Sequence, residues 1–93
     1  MHGQEAAEAI ALRALVWTLG DDDRRAAFMA ATGAQPADLA SGARDPVFLG
    51  AVLDFLLSDE PRVVAFCKDE NLAFDAPMRA RAALPGGDVP HWT

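Results

Sequence analysis

Asp21-Asp22-Asp23 is the densest acidic cluster in the chain, and several adjacent carboxylates are what a hard cation would require. No D-x-D-x-D-G spacing follows it, and no bidentate acid stands at the required distance. Helix capping is the simpler account, because Asp at an N-cap and acids in a first turn satisfy unpaired N–H groups. The same account covers Asp45, Asp59, Glu60 and Asp75. His2 and His91 lie near opposite ends, and neither has Cys, Asp or Glu at ligand spacing, so no metal site is expected. Cys67, between Phe66 and Lys68, reads as a small core hydrophobe with no base beside it. Ser41 and Ser58 fall at helix ends, outside any G-x-S-x-G setting. Gly86-Gly87 precede a polar tail and not a helix, so no phosphate cradle forms there. No catalytic residue and no cofactor are expected.

Asp54 is the one acid inside an otherwise apolar stretch. It lies along a thin polar seam or pairs with an arginine; the sharper alternative makes it an anchor for a partner's basic residue. Arg24-Arg25 and Arg79/Arg81 are the only basic clusters, and they read as solvated helix faces, with Asp21 and Arg25 at pairing distance in sequence. The chain closes on Asp88-Val89-Pro90-His91-Trp92. That segment packs back on the domain, offers Trp92 and His91 to a partner, or frays. Packing is favoured, because a tryptophan buries enough area to order a few residues. Trp92, His91 and Asp54 are therefore the candidate partner-binding residues.

The whole-chain balance narrows the function classes. Fourteen acids against eight Lys and Arg give a net charge of −6, the reverse of the basic footprint that phosphate neutralisation demands. A helix-turn-helix-like nucleic-acid binder is the alternative that this disfavours, and a small enzyme ranks below it. One cysteine cannot form an internal disulfide. The opening residues lack a basic n-region, and the longest apolar run, 47–57, is broken by Gly50 and Asp54. A cytoplasmic protein with no membrane contact is expected, and a homodimer stays open.

Six helices must position these residues. A first helix over 5–19 carries Ile10, Leu12, Leu15, Val16 and Leu19 as its stripe, widened by Trp17. A second runs from the Asp21–Asp23 cap to about Ala31, and a third from Pro36 to about Gly42. Asp45-Pro46 opens a fourth to about Leu57, apolar nearly all round except for Gly50, Asp54 and Ser58, as suits a buried centre. A fifth follows Ser58 or Asp59, and a sixth runs from Asp75 to Leu84, before Pro85-Gly86-Gly87. The expected architecture is all-α. Residues 1–84 form one compact domain around the helix at 46–57, with a Pro/Gly-led tail over 85–93.

Sliding the chain by 38 residues superimposes Ile10 on Phe48, Leu15 on Leu53, Trp17 on Phe55, Asp21 on Asp59, Arg24 on Arg62 and Phe28 on Phe66. Two pseudo-repeated three-helix halves would follow, though Leu- and Ala-rich helices align partly by chance. The stretch DPVFLGAVLDFLLSDEPRVVAFC and the ending LPGGDVPHW resemble an uncharacterised bacterial family of small helical proteins, of the domain of unknown function 3572 type. That resemblance implies a helical single domain and passes on no activity, cofactor or site residue. The function class expected is a small non-catalytic interaction or accessory module, with another protein as partner.

Overall fold

The computed structural model describes residues 2–85. It contains α1 (His2–Leu19), α2 (Asp22–Thr32), α3 (Pro36–Gly42), α4 (Pro46–Leu57), α5 (Glu60–Glu70) and α6 (Ala76–Ala82), and no strand among those residues. The tail beyond Pro85, with His91 and Trp92, lies outside the described residues.

The acids punctuate the helices largely as expected. Asp21, Asp45 and Asp59 each stand in extended backbone and accept from the amides of Arg24, Val47 and Arg62, which supplies partners for otherwise orphaned donors. Asp75 departs from this pattern. Its backbone sits near φ −90°, ψ 0° with no side-chain cap, because a turn already bonds the Ala76 amide to the Ala73 carbonyl; its carboxylate lies near Arg79 instead. Asp21 likewise does not pair with Arg25. Its oxygen is taken by the cap, and Arg25 pairs with Asp22. The sixth helix ends at Ala82, short of Leu84. Its last amides tighten to bonds three residues back, as suits a residue preceding proline, which avoids the helical region.

Helix α4 touches all five other helices, and Leu49, Val52, Leu53, Phe55 and Leu56 are buried. It shares the centre with α1. There the buried face is Ala7, Ala11, Ala14, Leu15, Trp17 and Thr18, whereas Leu12 and Val16 are exposed. The expected stripe is thus rotated: small side chains let α6 come close against α1, and the larger residues on the other face are left outside.

The two halves, α1–α3 and α4–α6, repeat one local device. Arg24 stacks over the Trp17 ring at 3.7 Å and donates to the Trp17 carbonyl at 2.8 Å. Thirty-eight residues on, Arg62 stacks over Phe55 at 4.0 Å and donates to its carbonyl at 2.8 Å. Each arginine closes the end of one helix from the first turn of the next. The aromatic contacts cross between halves: Phe28 meets Phe55 edge-on at 5.3 Å, and Phe66 meets Trp17 edge-on at 5.5 Å. Exchanging the halves turns one pair into the other. The third helices differ, since α6 packs on both α1 and α4 whereas α3 rests on α4.

Gly42 fixes the entry to α4. A Cβ there would stand 2.6 Å from the Phe48 ring, which itself meets Phe28 edge-on at 6.0 Å. Gly42→Ala must displace that ring. The overpacking outweighs the gain in helix propensity, and the expected net loss is about 1–2 kcal/mol, read as a lower urea midpoint.

Candidate apolar groove

Cys67, Asp54 and most of the arginines make contacts within the chain. The Cys67 thiol is buried, 3.9 Å from the Phe74 carbonyl; burial pushes its pKa up, and the charge of Asp75 adds to the shift. A thiol held protonated is a poor nucleophile. Among the described residues no group of three or more His, Cys, Asp or Glu is placed to hold a metal ion.

Arg81 crosses α4 over Gly50, where a Cβ would lie 2.9 Å from its Nη1. Its Nε and Nη2 donate to the two oxygens of Asp54 at 2.6 and 3.2 Å, and Nη1 donates to the Pro85 carbonyl at 3.0 Å. Asp54 is thereby engaged within the chain, although its side chain is 60% exposed. The seam foreseen along Gly50, Asp54 and Ser58 is roofed by Arg81 at Gly50, which is buried. Asp54→Asn keeps the shape and removes the charge. For a carboxylate this exposed the expected cost is about 1 kcal/mol at low salt and less in 1 M salt, measured by paired denaturation curves.

Three more arginines are spent similarly. Arg24 and Arg25 donate to the Trp17 and Leu19 carbonyls, and Arg13 pairs with Glu70 at 3.0 Å. These arginines close helix ends and tie elements together.

What the sequence did not single out is a groove between α5 and the start of α6. Leu57, Val63, Phe74 and Met78 line it, with Glu60 and Asp75 at its rim, enclosing about 210 Å³. Phe74 is 56% exposed and Met78 59%. Three larger depressions, of about 390, 400 and 290 Å³, lack such a pair of exposed side chains. One is mainly alanine between α1 and α6, a second runs past Ala31, Ala51 and Asp54, and the third passes Thr32, Asp38 and a half-buried Phe48. The α5–α6 groove alone among these pairs a buried apolar floor with two large hydrophobes held in solvent. An aromatic ring and a thioether beside a concavity suit docking of another apolar surface.

The model of a family described as a protein of unknown function (DUF3572) matches residues 4–87. The chain belongs to that family. The match spans every helix but the first two residues of α1, so the groove of this DUF3572 protein lies within the family region. No curated protein and no solved structure matches the chain. Among the described residues of this DUF3572 chain, no helix is long and apolar enough to cross a membrane.

Proposed function

We propose that the protein is a small non-catalytic interaction module of the cytoplasm, and that it docks another protein in the α5–α6 groove. The observation that carries this reading is the exposure of Phe74 and Met78 beside buried Val63. Solvent exposure of two large hydrophobes around one concavity costs free energy that a docked partner recovers, at roughly 25 cal/mol per Å² of apolar surface covered. A partner's side chain entering between Leu57 and Val63 would be flanked by the two exposed ones, the arrangement in which interface anchors contribute most. The thiol of Cys67 is compatible with a reducing compartment.

The test is a double substitution, Phe74→Ser with Met78→Ser. Both side chains are mostly in solvent, so stability should change by no more than about 0.5 kcal/mol per site. A partner that co-purifies stoichiometrically with the wild-type chain from its host should be lost from this variant at an unchanged melting temperature. Retention of the same partner by the variant, or no partner for the wild type, would sink the reading.

A further inference from the structure

The two halves of the fold differ at the groove in a way that specifies what docks there. In the first half, Arg25 donates through Nη1 to the Leu19 carbonyl at 3.0 Å and through Nη2 to the Asp22 carboxylate. Thirty-eight residues on, Leu19 becomes Leu57 and Asp22 becomes Glu60, but Arg25 becomes Val63. The carbonyl and the acid remain and the guanidinium between them is gone. Among the described residues Glu60 has no ion pair. The Leu57 carbonyl receives no bond from any described donor outside its helix, and Pro61, four residues on, has no N–H to give. Leu57, Glu60 and Val63 all line the groove. Two acceptors without a cation thus border an apolar floor, on a chain of net charge −6.

We infer that the groove takes an apolar helical segment of another protein that carries an arginine, and that this arginine supplies the guanidinium that Val63 omits. Its apolar residues cover Val63 between Phe74 and Met78, and its fork meets the Glu60 carboxylate and the Leu57 carbonyl as Arg25 meets Asp22 and Leu19. Arginine suits the place better than lysine, because its planar fork serves two acceptors at once. Asp75 adds negative potential at the other rim, reduced by Arg79 at 3.6 Å. This inference rests on the groove being the docking surface, and it adds the chemistry of the partner.

The test uses two synthetic amphipathic helices with the same leucine-rich face, one with arginine beside that face and one with uncharged citrulline there. Binding to the full chain is followed by amide chemical shifts of Val63, Phe74 and Met78. The arginine peptide should bind about tenfold more tightly, and Glu60→Gln should abolish the difference. Equal affinity of the two peptides at the groove would overturn the inference while leaving the docking reading intact. Shifts with neither peptide would also overturn it, and the docking reading would then be judged by whether Phe74→Ser with Met78→Ser loses the host partner. A dimer of the chain that dissociates on Met78→Ser would show a second copy to be the occupant, and would overturn the inference too.

Discussion

Phe66→Ala is expected to lower the unfolding free energy by about 3–5 kcal/mol, and Phe28→Ala by at least as much. Both rings are fully buried, and each is the cross-half partner of an aromatic on a central helix. Removing either leaves a cavity where helices of the two halves pack together. Phe28 has the additional edge contact with Phe48, so its loss should be the larger. For 93 residues a total stability of about 5–14 kcal/mol is typical, so either substitution removes a large share of it. Urea unfolding of both variants checks this. A loss below about 1 kcal/mol for either would contradict the exchange of aromatic contacts between halves.

Trp17→Ala should cost about 3–5 kcal/mol, and Trp17→Phe much less. The indole is buried edge-on to Phe66, lies under Arg24, and donates from Nε1 to Asp69 at 2.8 Å. It therefore joins α1 to α5 at a point where the two helices share few other contacts. Phenylalanine retains a ring for Phe66 and Arg24 and gives up the indole donor and some volume, for about 1–2 kcal/mol. Comparing Trp17→Phe with Asp69→Ala in a double-mutant cycle isolates the hydrogen bond. Additive losses would show that Nε1 contributes nothing beyond packing.

Helix ends were legible wherever chemistry is local. Asp21, Asp45 and Asp59 declare themselves by residue type and by the proline or acid that follows. Asp75 looks the same in sequence but is overruled by the preceding turn at Ala73–Ala76, which no local pattern reveals. The buried face of α1 was misplaced by one strip. Leu12 and Val16 outweigh Ala7, Ala11 and Ala14 in hydrophobicity, yet helix approach favours the small residues and the bulk goes outside. Arg24-Arg25 was read as a solvated helix face, whereas Arg24 is tied to the Trp17 ring and carbonyl seven residues back, as Arg62 is to those of Phe55. The spacing 17–24, repeated at 55–62, was the available signal. Asp54 left two readings open, and the structure pairs it with Arg81 through a contact 27 residues away. The groove was hidden because Phe74 and Met78 resemble core residues. What marks it in sequence is a mismatch in the repeat, Val63 where the first half has Arg25.

The most direct measurement of the central claim is photo-crosslinking in the host from a photoreactive side chain placed at Met78, beside a control at Val16. Both positions are mostly exposed, at 59% and 70%. A discrete adduct to one protein from position 78, absent from position 16 and abolished by Phe74→Ser, is the predicted result. The same adducts from both positions, or none from position 78, would contradict docking in the α5–α6 groove.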